Sequence, residues 1–173
     1  MKTTIFTSAL AGAFLLAACA SPPPETPVPS ALVPAGERPA GQVAARGVQI
    51  YECRAKKDSP GTEWAFVAPE AELFDSQGKP AGKHYAGPHW EAGDGSKIVG
   101  TVKARADAPQ PGAIPWLLLS AKSVGGDGAF AKITSVQRIR TVGGVAPASG
   151  CDAAALGKSV RVPYTADYVW FSS

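Results

Sequence analysis

From residue 43 onward the chain is a succession of short β-branched and aromatic runs, each ended by a Gly-, Pro- or Asp-containing turn signal after about ten residues. No stretch sustains helical periodicity over several turns. This pattern predicts an all-β fold, a single-domain β-sandwich or partly closed β-barrel, over residues 29–173. In "GVQIYECR", Val48 and Ile50 share one face while Gln49, Tyr51 and Cys53 share the other. "EWAFV" and "AELF" follow on either side of Pro69, and "DSQGKP" is a turn with Gly78 available for positive φ. "KIVGTVKA" sets Ile98, Gly100 and Val102 against Val99, Thr101 and Lys103. The continuous apolar run in "IPWLLLSA" predicts a strand buried on both faces.

In "FAKITSVQRIRTV", Ile133, Val136 and Ile139 recur every three residues, as on a helix face, but the density of Ile, Thr and Val favours a strand. "CDAAALGK" predicts one short helical turn near the C-terminus, with Asp152 as N-cap and Gly157 as terminator. A last strand, "ADYVWF", alternates Tyr168 and Trp170 with Val169 and Phe171.

The N-terminus is of a different kind. Residues 1–18 carry Lys2 and an apolar run from Ile5 to Ala18, the layout of a secretory signal peptide and too short to span a bilayer comfortably. "LAAC", Leu16 to Cys19, resembles the bacterial lipobox, which implies cleavage before Cys19 and acylation of its thiol. Ala20 follows, with no Asp there to favour the inner membrane, so the expected location is the cell envelope, at the outer membrane facing the periplasm. Residues 19–28 then form a Pro-rich tether. In polyproline II, at about 3.1 Å per residue, it would hold the domain roughly 30 Å from the lipid. Leu32 and Val33, further on, are apolar enough to lie along the domain.

With Cys19 acylated, Cys53 and Cys151 remain in an oxidising compartment and are expected to form one disulfide. A catalytic thiol would need a neighbouring base, and a thiolate metal site a C-x-x-C spacing. The net charge of +3 argues against a nucleic-acid partner, and Lys56-Lys57 and Arg138/Arg140 read as solvated strand or loop positions.

Chemistry-bearing residues gather in "HYAGPHWEAGDGS". Both histidines, His84 and His89, lie there with Trp90, Glu91 and Asp94. Two turns, Gly87-Pro88 and Gly93 to Ser96, bracket a short strand on which His89 and Glu91 share a face opposite Trp90. If the first turn folds the halves together, His84, His89, Glu91 and Asp94 form a candidate metal or acid/base cluster. The plainer expectation is two turns around a packed Trp90. No G-x-S-x-G, H-E-x-x-H or S-x-x-K occurs, and "GGDGAF" is a hairpin loop rather than a dinucleotide site, so no cofactor is expected. Tyr51, Trp64, Tyr85, Trp90, Trp116, Tyr164, Tyr168 and Trp170 could instead supply a stacking face for sugars or peptides.

Taken together, "GVQIYEC", the run from Trp64 to Asp75, "GKHYAGP" with "WEAGDGS", "IPWLLL", "QRIRTVGG" and "VPYTADY" resemble the domain of unknown function 3455 family. The resemblance runs from about Pro29 to Phe171 and implies one shared domain, with Cys53 and Cys151 as partners. It implies no activity. Where the family pattern usually has Thr before the Trp-Glu pair, this chain has His89, which separates that residue from the motif's common members. The expected function is a non-enzymatic, membrane-anchored lipoprotein whose β domain binds an envelope component or small ligand. The alternative is a metal-dependent or acid/base hydrolase centred on His84, His89, Glu91 and Asp94.

Overall fold

The computed structural model describes residues 26–173. The signal peptide, Cys19 and most of the tether lie outside the described residues. Eight antiparallel strands follow: β1 (Arg38–Ala55), β2 (Thr62–Phe74), β3 (Pro80–Tyr85), β4 (His89–Ala92), β5 (Lys97–Ala106), β6 (Trp116–Gly125), β7 (Ser135–Gly143) and β8 (Ser159–Ser172). Each pairs with the next in sequence, and β8 returns to pair with β1 from Arg38↔Ser172 to Glu52↔Ser159. The sheet therefore closes into an up-and-down ring, which leaves no free edge along β1 or β8. The only helical elements among the described residues are two 3-10 turns, Ser30–Leu32 and Ala153–Ala155. In the second, the Asp152 carboxylate accepts from the Ala154 and Ala155 amides, the expected N-cap, and Gly157 follows at φ +79°. Gly78 likewise takes the positive φ its turn requires.

Alternation places Leu73, Trp90, Ile98, Leu119, Val136, Tyr168 and Trp170 inside the ring as one buried core. On β1 the inward set is Ala45, Gln49, Tyr51 and Cys53, so the more polar face of "GVQIYECR" is the interior one. β6 is covered on both faces over its first half, as the apolar run predicts. Leu119 faces the interior, while Trp116 and Leu118 join Ile139 and Leu32 in a second cluster on the outer wall. Leu32 is fully buried there, and Gln137 Nε2 donates to its carbonyl at 2.7 Å. Contact with the sheet begins at Val28, the last residue assigned to the tether. The period-three spacing of Ile133, Val136 and Ile139 thus has a non-helical origin. Ile133 precedes β7, Val136 faces in, and Ile139 faces out into the second cluster.

The two ends of the ring differ. At one end the Asp94 carboxylate accepts from Ser96 N (2.9 Å), Ser96 Oγ (2.7 Å) and Ala129 N (2.8 Å), docking the β6–β7 connection onto the β4–β5 turn. Phe130 then packs edge-on against Trp170, 4.8 Å between ring centres, and plugs that end. At the other end the long β7–β8 connection is drawn to β1 by the Cys53–Cys151 disulfide, with Cα atoms 5.3 Å apart. Tyr51 Oη also donates to Gly144 O at 2.6 Å and Trp64 Nε1 to Ser149 O at 2.9 Å.

The wall itself is uneven. β2 is one continuous strand through Pro69, not two runs, and only Ala71 to Phe74 pair with β3. Proline is tolerated because its missing amide lies where no β3 neighbour needs it. On the far side, β5 pairs with β4 only from Lys97 to Val99. The short β3–β4 hairpin therefore leaves a notch, flanked by Phe66 and Val67 of β2 and Val102 of β5, all exposed.

Candidate functional site

The stretch "HYAGPHWEAGDGS" forms the β3–β4 hairpin and the turn after it. Register pairs His84 with Trp90, Lys83 with Glu91 and Tyr85 with His89. Strand alternation then separates the residues. His84 and Trp90 point into the ring, 2% and 1% exposed, their rings stacked at 4.4 Å. His89 and Glu91 lie on the other face. Glu91 Oε2 accepts from Tyr85 Oη (2.8 Å) and pairs with Lys97 Nζ (3.0 Å), which hold its carboxyl below the usual range. His89 stacks on Tyr85, and its Nδ1 lies 2.6 Å from Ala86 O. Gly87, at φ +127°, makes this turn possible, since a Cβ there would fall 2.0 Å from the His89 ring.

The four-residue metal or acid/base cluster is thus not assembled. His84 is on the inner face, His89 and Glu91 are on the outer one, and Asp94 is engaged in closing the plugged end. Among the described residues no three of His, Cys, Asp and Glu are grouped so as to hold a metal ion. Asp94 is pulled down to about 2, first by the Ser96 hydroxyl and then by the Ala129 and Ser96 amides, as suits a loop clasp.

His84 has a firm place in the interior. Its Nδ1 is 2.8 Å from His89 O, and because a carbonyl can only accept, Nδ1 carries the hydrogen and Nε2 is left as an acceptor. Burial pushes the imidazole down to about 3, and the nearby Arg138 cation adds to the cost of protonation, outweighing the carbonyl bond that opposes it. His84 is a neutral imidazole packed between Trp90 and the edge of Tyr168. The eight aromatics considered for an exposed stacking face are mostly interior too, with Tyr51, Trp90, Trp116, Tyr164, Tyr168 and Trp170 all buried.

Behind the notch lies a cavity of about 610 Å³. That is within the roughly 300–1,000 Å³ range of small-molecule sites. Leu117, Leu119, Ile114 and Trp90 form apolar walls, Phe66, Val67 and Val102 form the rim, and Gln49, His84, Tyr168 and Arg138 add polar groups. Arg138 was read from sequence as a solvated position. It instead takes an inward place two residues after Val136, and a register shift between Ile139 and Val142 turns the chain so that Arg140 bonds Asp167 on β8. Arg138 Nε and Nη2 both donate to Pro115 O, at 3.1 and 2.9 Å. No carboxylate pairs with it among the described residues, and none lines the cavity. Its charge is felt by Tyr51, Tyr164 and Tyr168, partly offsetting the upward push that burial gives each phenol. The signal for this residue was the alternation in "VQRIR": whichever face holds Val136 also holds Arg138.

A family model described as a protein of unknown function, DUF3455, matches residues 34–172. The chain belongs to this family. The match covers the whole of β1 to β8, so ring, disulfide and cavity all fall within the DUF3455 domain. No curated protein and no solved structure matches the chain.

Proposed function

We propose that this DUF3455 chain is a non-catalytic ligand-binding lipoprotein of the bacterial envelope, anchored in the outer membrane through Cys19 and facing the periplasm. The observation that carries the binding role is the cavity. It opens at a notch with an apolar rim and holds polar groups that include no paired nucleophile and base. A site that orients a ligand without a proton-transfer pair is suited to holding rather than converting it. The anchoring half of the proposal rests on "LAAC" and the Pro-rich segment after it. No observation in the cavity favours the hydrolase alternative, since His84 faces it without a carboxylate partner.

Each half has its own measurement. In cells fed labelled palmitate, the chain should take up label and fractionate with membranes, and Cys19→Ser should abolish both; unlabelled wild type would remove the anchor. For the cavity, the neutral fluorophore N-phenyl-1-naphthylamine should bind the purified protein saturably. Leu117→Trp, which fills the space, should weaken binding by about tenfold or more while the far-UV spectrum is kept. Absence of saturable binding, or binding indifferent to Leu117→Trp, would remove the binding role.

A further inference from the structure

The unused hydrogen-bonding capacity inside the cavity is mostly of one kind. Gln49 is 3% exposed and its side chain bears on the Tyr164 hydroxyl, but its Nε2 meets no acceptor at full hydrogen-bond geometry; Trp90 Nε1 is equally enclosed and has no partner. Both line the cavity, and both are donors. Arg138 spends Nε and one Nη2 hydrogen on Pro115 O and also bears on the Tyr168 hydroxyl, yet a guanidinium has more N–H groups than these two acceptors use and no carboxylate among the described residues meets it. A guanidinium with N–H groups to spare can take a carboxylate through two parallel bonds. His84 Nε2 is a lone acceptor among these donors. Buried donors without partners are costly and uncommon, so a cavity with two of them in its lining, beside a cation that no carboxylate meets, is organised for an acceptor it does not itself contain.

We propose that the ligand is an organic carboxylate with an apolar body, its carboxylate held by Arg138 with the Gln49 amide behind it and its body lying along Leu117, Leu119 and Trp90. This rests on the binding role proposed above and narrows it to a chemical class. The apolar walls exclude a small hydrophilic anion, which would leave them wet, and the unpaired cation disfavours a purely neutral hydrophobe, which would bury that charge without a partner. The exposed apolar rim at Phe66, Val67 and Val102 gives the body a path past the β3–β4 hairpin. Acyl-chain and aryl carboxylates share the required chemistry, and the shape of the body is left for measurement.

Titration calorimetry of the purified protein with dodecanoate against dodecanol, and with 1-naphthoate against 1-naphthylmethanol, separates acid from alcohol in both body types. At least one acid should bind about tenfold or more tightly than its alcohol, and Arg138→Gln should erase that difference while Arg138→Lys keeps part of it. Gln49→Met supplies a readout that a structural role would not produce. It should raise the melting temperature of the empty protein, by removing an unpaired donor, and yet weaken acid binding. Equal binding of acid and alcohol, or an acid preference that survives Arg138→Gln in a folded variant, overturns the carboxylate assignment and leaves the binding role intact. If neither these ligands nor the neutral fluorophore binds, both fall together.

Discussion

Unfolding of the Cys53→Ala/Cys151→Ala double variant in urea is expected to require about 4 to 5 kcal/mol less free energy than unfolding of the wild type. The two cysteines are 98 residues apart in sequence, so the crosslink removes a large closed loop's worth of freedom from the unfolded chain. A single net hydrogen bond contributes about 1 kcal/mol. The bridge therefore outweighs the individual contacts Tyr51–Gly144 and Trp64–Ser149 that hold the same connection to the wall. For a domain with 5–15 kcal/mol of total stability, a loss of that order approaches half or more. Strand pairing by β8 against β1 and β7 does not depend on it, so the variant should keep its β-sheet spectrum at low temperature. The check is a urea midpoint with and without reductant. Midpoints that coincide, with unchanged slope, would mean that the bridge does not constrain the unfolded chain.

The second large effect is one of pH, and its source is His84. The imidazole sits at about 3 in the folded chain, against about 6.5 when unfolded. Between these values the unfolded chain binds a proton that the folded chain does not. Stability is thus complete above the unfolded value and is lost as pH falls, at about 1.4 kcal/mol per unit. From pH 6.5 to pH 5 the loss is about 2 kcal/mol. The carboxylates that bonding holds low, Glu52, Glu70, Glu91 and Asp94, act with the same sign but at lower pH, because they begin to protonate in the unfolded chain only near their ordinary values. The window from 6.5 to 5 therefore isolates the histidine. His84→Phe, which preserves a ring against Trp90, should flatten the stability curve in that window whatever its effect on the stability at pH 7. A slope that persists in this variant would place its origin elsewhere.

Both predictions concern residues that the sequence singled out, and they show how far that reading reached. Cys53 and Cys151 were legible because counting sufficed: one cysteine of three belongs to a lipobox-like motif, and the remaining pair needs only an oxidising compartment. The all-β class, the Asp152 cap and the turn at Gly78 were legible for a similar reason, since each depends on neighbours a few residues apart. "HYAGPHWEAGDGS" was legible as two turns with a packed Trp90. Which face His84 would share was not, because that depends on the register between β3 and β4, and a one-residue slip exchanges inside for outside.

Arg138 marks the limit more sharply. A basic residue in an ordinary strand is solvated, and composition alone supports that expectation. Only closure of the ring turned the position inward, by giving β7 an interior at all, and only the irregularity after Ile139 returned Arg140 to the outer face. The cavity has the same origin. It exists because β3 and β4 are shorter than the strands beside them, and strand lengths measured against one another are a property of the assembled wall. The sequence by itself determined the local elements, the interior-exterior alternation along each strand and the cysteine pair, all set by short-range sterics and by counting. The tertiary structure alone decided which face became the interior, where the wall is low and which polar groups share the cavity, because these follow from register and closure between strands distant in the chain.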